Sequence, residues 1–479
     1  MSGVSWIDSA TPTNHPCIVC GNRVGNAIIL NASHWHPDYD QLEVARCSQC
    51  HSAFTLNATE MILPYPAAEA ALQDPNFIYL IYHYLELVSG LDWKLPLLER
   101  LPFSHFNSVL EIGCNVGVTL DYCRTAWDID ALGLEPSAYG VKGGELLKLP
   151  IINAYTHEAE ALHDRRFSFI YATEVLEHVS DPLAFLKELR SYLEPGGILL
   201  ITTPCVSALH KDSLPGELYA ALSPGAHYFL LSQNELEHLA QQAGFKHADV
   251  KLLHQTNVAY LSDKPIELDT DYVVDSQLAA YYAAKINQGA DLDKRVYLGH
   301  LINYYTSALN ADTVFDEPDI SQQIEHQLSL QFNISLDRPL ELAQRAIQAE
   351  SIFDLGKTIP YSLPSYLYKR AEYLNRVGAA TEHCYELAAL LAAKGLQVDF
   401  THLFLYHHIL QLSLQQIGIL DNSRQKTDPI SGQLRGITES ITATIPELHE
   451  TPVNLLSRIK WKLRALGNRW RLINSPDGE

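Results

Sequence analysis

The chain has 479 residues, 47% of them apolar and 19% charged, and a formal net charge of −22. That length exceeds one core and predicts roughly two to four domains, and the composition excludes global disorder. The acidity weighs against nucleic-acid binding, because phosphates are repelled by most of such a surface.

No stretch approaches the ~20 apolar residues that span a bilayer. The first residues, Met1 to Asp8, lack the basic and apolar regions of a signal peptide. A cytoplasmic protein is expected.

Residues 1–60 are rich in Cys, His, Asn and Pro and show little helical periodicity. Four of the eight cysteines fall here as two Cys-x-x-Cys pairs, Cys17/Cys20 and Cys47/Cys50. Each pair can wrap a tight knuckle around one metal, and four thiolates close a tetrahedral, structural zinc site. Such a site would stabilise a zinc-ribbon-like module with too little core of its own. A redox dithiol is the rival, but neither pair has thioredoxin-like surroundings. His34, His36 and His51 read as spare ligands or as surface residues.

Apolar spacing predicts one or two helices over 66–90 and a short one over 92–101, a helical lead-in occupying 61–105. Beyond it, strand-like and helical runs alternate. The strands are 108–112, 129–134, 150–153, 167–172, 197–203 and 245–250, and the helices 116–126, 137–147, 182–192 and 232–244. This pattern predicts an α/β domain over 106–255, a doubly wound parallel sheet covered on both faces. Pro195-Gly196-Gly197 and Gly244 supply helix stops.

The most informative run is Val109-Leu110-Glu111-Ile112-Gly113-Cys114-Asn115-Val116-Gly117, an apolar strand, a glycine turn and the start of a helix. Gly113 lets the backbone turn sharply and a ligand approach without a Cβ in the way. Asn115 is the best substitute for glycine at positive φ. With Asn115 and Val118 where a dinucleotide fingerprint wants glycine, a pyrophosphate cradle is disfavoured. Glu135 closes the next strand, where an acid can accept both hydroxyls of a ribose.

Four motifs in order, 111–117, Gly133-Leu134-Glu135-Pro136-Ser137, 174–182 and Leu193-Glu194-Pro195-Gly196-Gly197, resemble those of class I S-adenosylmethionine-dependent methyltransferases, a Rossmann-like fold. The resemblance implies that Glu111, Gly113, Cys114, Asn115 and Gly117 face the methionine part of S-adenosylmethionine. It places Glu135 and Pro136 at the ribose, Asn153 beside the adenine, and Glu174 near the bound cofactor.

Glu174, Glu177 and His178 follow the fourth strand, on neighbouring positions where ligating groups can converge. This segment is similar to that of ubiquinone-pathway O-methyltransferases, which implies a divalent ion at Glu174, Glu177 and His178; bracing of the next helix is the other reading. His227, before the helix 232–244, reads either as a catalytic base beside the acceptor, with Glu177 and His178, or as packing.

After residue 256 the strand signal fades and a mainly helical region runs to 479, with Cys384, Leu387, Ala388 and Leu391 as a buried stripe of one helix. At 454–473 a basic amphipathic tail carries Arg458, Lys460, Lys462, Arg464, Arg469 and Arg471 without an acid. It suits docking on the acidic body, self-association, or a peripheral position on anionic lipid.

A zinc module before such a core is also similar to the layout of sugar C-methyltransferases from antibiotic pathways, but the glycine-rich motif of their third, α/β C-terminal domain is not found in this sequence, so C-methylation is not carried over. The expected activity is methyl transfer to a small molecule or sugar, in a natural-product or surface-polysaccharide type of pathway. The alternatives are a catalytically silent cofactor-binding scaffold and a protein or RNA methyltransferase.

Overall fold

The computed structural model describes residues 3–36, 38–63, 68–87, 91–213, 215–253, 255–269, 274–313, 315–381, 383–398, 403–423 and 429–445. The basic tail at 454–473 lies outside the described residues. The chain divides into two compact units, one from Met1–Gln73 and Pro102–Leu268, the other from Asp74–Leu101 and Asp269–Glu479.

The first unit begins with an antiparallel sheet made by β1 (Val4–Thr13), β2 (Asn26–Ser33), β3 (Gln41–Arg46) and β4 (Ala53–Thr55). In β2, Ile28, Leu30 and Ala32 face inward and alternate with half-buried residues, the period of a strand with one wet face.

The larger sheet contains β5 (Ser108–Ile112), β6 (Asp130–Leu134), β7 (Ile151–Ile152), β8 (Phe167–Thr173) and β9 (Leu193–Pro204). After β10 (Phe229–Leu230), which pairs elsewhere, come β11 (His247–Leu253) and β12 (Thr256–Ser262). Spatial order is β11-β12-β9-β8-β5-β6-β7. β7, β6, β5, β8 and β9 run parallel, and every residue of β8 is buried, as both-face covering requires.

The expected all-parallel sheet is corrected at one edge. β12 inserts antiparallel between β9 and β11, a strand the sequence pattern missed. Its residues after Thr256 are all buried, so polar and apolar positions do not alternate to announce it. The short link from β11 permits only an antiparallel hairpin. β9 also starts earlier than expected. Leu193 already pairs with Phe167, and the register shifts before Ile198 because Gly196, at φ 88°, bends the strand entrance.

Helix starts follow the local chemistry. Asp181 accepts the Ala184 N–H before Pro182, and Ser232 accepts the Glu235 N–H before Gln233–Gln242.

The second unit is helical among its described residues. Its core surrounds Cys384–Val398, and the predicted one-sided stripe needs correction there: Ala389, Leu390, Ala392 and Ala393 are as buried as Leu387 and Leu391. A helix apolar on all sides is a central one. The helix Phe77–Glu86 joins this unit through a buried ion pair between Glu86 and Arg295. Glu86 also accepts the Tyr361 N–H, and the guanidinium lies 4.6 Å from the Tyr82 ring centre and 5.2 Å from that of Tyr361.

Removing one partner of a buried pair strands the other charge. Glu86→Ala is therefore expected to lower stability by about 3 kcal/mol, read from urea unfolding of the helical unit. A loss below about 1 kcal/mol, the size of an exposed pair, would show that this contact does not anchor the helix.

Candidate functional site

The order of strands reverses at β5, which lies between β6 and β8. In an open α/β sheet, ligands bind beyond the carboxyl ends of strands at such a reversal. The turn after β5 lies there.

Gly113 (φ 68°), Asn115 (φ 51°) and Gly117 (φ 83°) are all left-handed, and Gly117 caps the helix Val118–Ala126. A Cβ on Gly113 would come within 2.6 Å of the Val175 side chain, so only glycine fits. Cys114 is buried, its Sγ against Gly133 of β6.

Glu135, at the end of β6, is buried and turned toward this loop. One carboxylate oxygen accepts the Asn115 N–H at 2.9 Å, the other the Ser137 N–H at 3.0 Å. Each oxygen keeps a lone pair for a further donor. Pro136 is half-buried, and the exposed Asn153 donates its amide to the Glu135 and Ser137 carbonyls. Glu111 points elsewhere: it is buried within β5 beside Tyr171, whose hydroxyl is pushed well above its usual range by burial first and by that acid second.

Beyond β8 a second group assembles. Glu174 adopts φ 57°, and its carboxylate accepts the Thr202 hydroxyl at 2.9 Å. Glu177 is fully buried. One of its oxygens accepts the Thr203 hydroxyl at 2.8 Å; the other accepts no hydrogen bond and stands 3.9 Å from His227 Nε2. The His178 and His227 rings meet edge to face at 4.6 Å. Both imidazoles set Nδ1 on a backbone carbonyl, His178 on Ala226 at 3.1 Å and His227 on Ala221 at 2.8 Å. Donation from Nδ1 leaves Nε2 as the acceptor.

Burial, with Glu174 adding to it, holds the Glu177 carboxyl well above the usual range. Burial also lowers His178, and burial together with His178 brings His227 down to about 3. Among the described residues, Glu177, His178 and His227 have ligand atoms within 4.8 Å of one another. His227 thus takes the place expected for Glu174.

The four-cysteine cluster is the other metal-sized group, again with all ligand atoms within 4.8 Å. Cys17 and Cys50 Sγ are 3.7 Å apart and Cys20 and Cys47 Sγ 3.6 Å. Metal–sulfur bonds of about 2.3 Å in a tetrahedron imply sulfur–sulfur edges of about 3.8 Å, so the donor set fits zinc. The residue after each pair, Gly21 and His51, is left-handed (φ 76° and 60°), which makes the two knuckles alike. His51 is an exposed turn residue and His34 bonds the Met61 carbonyl at 2.9 Å; neither joins the cluster.

Residues 87–250 match the family model described as a methyltransferase domain. The chain is similar to a ubiquinone biosynthesis O-methyltransferase of Parvibaculum lavamentivorans, 36% identical over 124 residues, which cover 24% of this chain and 47% of that protein. Residues 87–250 thus carry a methyltransferase domain. The chain is also similar to a tRNA U34 carboxymethyltransferase of Sulfurovum sp., 27% identical over 217 residues, 43% of this chain and 71% of that protein. A solved structure of an S-adenosylmethionine-dependent methyltransferase from Archaeoglobus fulgidus is similar at 16% identity and a TM-score of 0.31, covering 38% of this chain and 98% of that one. The chain thus spans about half the length of the first of these relatives, 47%.

Four residues of the methyltransferase domain escaped the sequence reading. Thr202 and Thr203 hold the two glutamates from the end of β9. Gly140 and Gly143 let the helix Ala138–Leu147 come close: a Cβ on Gly140 would lie 2.6 Å from Glu135 Cβ, and one on Gly143 would lie 2.2 Å from the Val116 carbonyl oxygen. The signal was present, since glycines inside a helix cost about 1 kcal/mol each unless close approach requires them. Gly143→Ala is expected to destabilise the domain by about 1–3 kcal/mol, because backbone and not a flexible side chain blocks the new methyl. Thermal unfolding checks this; an unchanged or raised midpoint would mean that the helix can retreat from the glycine turn.

Proposed function

We infer that the chain transfers a methyl group from S-adenosylmethionine to a nucleophile on a small molecule or sugar. The observation that carries the reading is Glu135, a buried carboxylate held by Asn115 and Ser137 next to the glycine turn. Gly113, Asn115 and Gly117 leave backbone open to the methionine part, Glu135 takes the ribose hydroxyls, and Pro136 and Asn153 border the adenine. Glu111 and Cys114 support this surface from beneath, and Glu174 closes it from β8.

The reaction is a displacement at a sulfonium methyl. The acceptor's lone pair forms the new bond to carbon while the carbon–sulfur bond breaks, its electron pair stays on sulfur, and the acceptor's proton leaves to solvent. Alignment is the protein's main contribution. Glu177, His178 and His227 face the acceptor. With one carboxylate oxygen unsatisfied and two imidazoles whose Nδ1 rests on a carbonyl, they are suited to hold a divalent cation. A cation held there would ease deprotonation of an acceptor hydroxyl. Cys17, Cys20, Cys47 and Cys50 would hold a structural zinc ion.

The charge of −22 favours a small acceptor over RNA, whose phosphates it repels. Among the described residues, no helix is long and apolar enough to cross a membrane.

Calorimetry of the full chain with S-adenosylmethionine is expected to show a dissociation constant on the order of micromolar. Glu135→Ala should weaken binding by at least about tenfold, the value of hydrogen bonds to a charged acceptor. No heat of binding by the wild-type protein would end the methyltransferase reading. Labelled product from a cell extract supplied with isotope-labelled cofactor would reject a silent scaffold, and label in RNA or protein would reject the small acceptor.

A further inference from the structure

The reaction as described gives the four-cysteine module no part. The structure nevertheless joins the module to the residues that carry His227. β10 is the fifth strand of the module's sheet, Phe229 pairing with Phe54 and Leu230 with Ala53. Thr55 extends the ladder to the histidine. Its N–H donates to the Tyr228 carbonyl at 2.9 Å, and its hydroxyl to the His227 carbonyl at 3.0 Å.

The flanks are held the same way. The Trp35 N–H donates to the Pro224 carbonyl at 3.2 Å and the Leu63 N–H to the Gly225 carbonyl at 3.1 Å. On the other side the Ser232 hydroxyl donates to the carbonyl of Cys50, itself one of the four thiols, at 2.8 Å. On its other side the segment meets the methyltransferase sheet: the Tyr228 N–H donates to the Glu177 carbonyl at 2.8 Å, the Ala226 carbonyl meets His178 Nδ1 at 3.1 Å, and Leu231 accepts the Val206 N–H at 3.0 Å and the Asn257 amide at 3.1 Å.

We propose that the four-cysteine module is a positioning element of the acceptor site, and that Thr55 is the residue through which it places His227. The proposal rests on the reading of Glu177, His178 and His227 as the acceptor-side group. His227 Nε2 and Glu177 Oε1 face each other across 3.9 Å without a direct bond, so nothing between the two side chains fixes their separation. The Ala221 carbonyl and the His178 ring orient the imidazole, and the backbone that carries it is paired with β4, which begins three residues beyond Cys50. Four thiolates bridged by a metal hold the Cys47–Cys50 knuckle and hence β4 rigid; four separate thiols do not. The cofactor turn belongs to β5 and β6, so loosening the module should spare it.

The test uses the full chain as wild type, Thr55→Val, Thr55→Ser, and wild type stripped of metal with a mercurial and a chelator. Three quantities are read: hydrogen–deuterium exchange along the chain, calorimetric affinity for S-adenosylmethionine, and label transferred into a cell extract. Thr55→Val and metal removal are expected to speed exchange over 224–231 by about fivefold, the effect of one lost hydrogen bond. Label transfer should fall about tenfold, as displacement of a positioned group predicts. Cofactor affinity should stay within about twofold, and Thr55→Ser, which keeps the hydroxyl, should behave as wild type. Unchanged exchange over 224–231 would overturn the proposal. So would exchange rising equally over 108–135 with loss of cofactor binding, since the module would then be a general stabiliser. A wild-type protein that binds no S-adenosylmethionine would defeat the methyltransferase reading alone, and the exchange pattern would still decide the coupling.

Discussion

The candidate cofactor crevice depends on a buried negative charge that two backbone N–H groups hold in place. An isolated carboxylate out of water is costly, and Glu135 is tolerated because Asn115 and Ser137 each give it a charge-assisted hydrogen bond. The bond to Asn115 reaches back across the sheet and locks the turn after β5 to the end of β6. Asn115 can offer its N–H there only because its backbone is left-handed, which an asparagine accepts more readily than most residues. The helix after β6 then has to lie close against the turn, which explains Gly140 and Gly143. Turn, acid and helix are one constraint expressed at several positions.

The larger sheet was readable where chemistry is local. Strand, glycine turn and helix cap follow from residues a few positions apart, as with Ser232 capping Gln233–Gln242. The four cysteines could be grouped from spacing because each pair forms its own knuckle. What resisted reading is non-local. β12 is hidden because burial on both faces removes alternation, and β10 is two residues long, with a partner far back in the chain. Thr202 and Thr203 look like ordinary strand residues until the fold brings them to Glu174 and Glu177, 28 and 26 positions earlier.

The group of Glu177, His178 and His227 shows the same limit in sharper form. Sequence neighbours placed Glu174 with Glu177 and His178, since three and four positions apart share a helical face. The segment does not continue as an α-helix. Glu174 is left-handed and only Leu176–His178 forms a single turn, so the face that the spacing assumed does not exist. Glu174 turns to Thr202, and the vacated place goes to His227, 53 residues on, which only the tertiary fold delivers.

That delivery bears on how the unit can fold. The module's sheet is incomplete without β10, and β4 would otherwise present an unpaired edge, a template for pairing with other chains. Thr55 and His227 are 172 positions apart, so closing this ladder carries a large loop-closure cost that earlier contacts must offset. The Cys17 to Cys50 cluster can close first, being the more local contact, and then offers a preformed edge to the segment 227–230 when the larger sheet arrives. An order in which the cysteine knuckles precede β10 is the one that never exposes β4 without its cysteines in place. The same arrangement makes the histidine the last element to be set, and makes its position depend on everything folded before it.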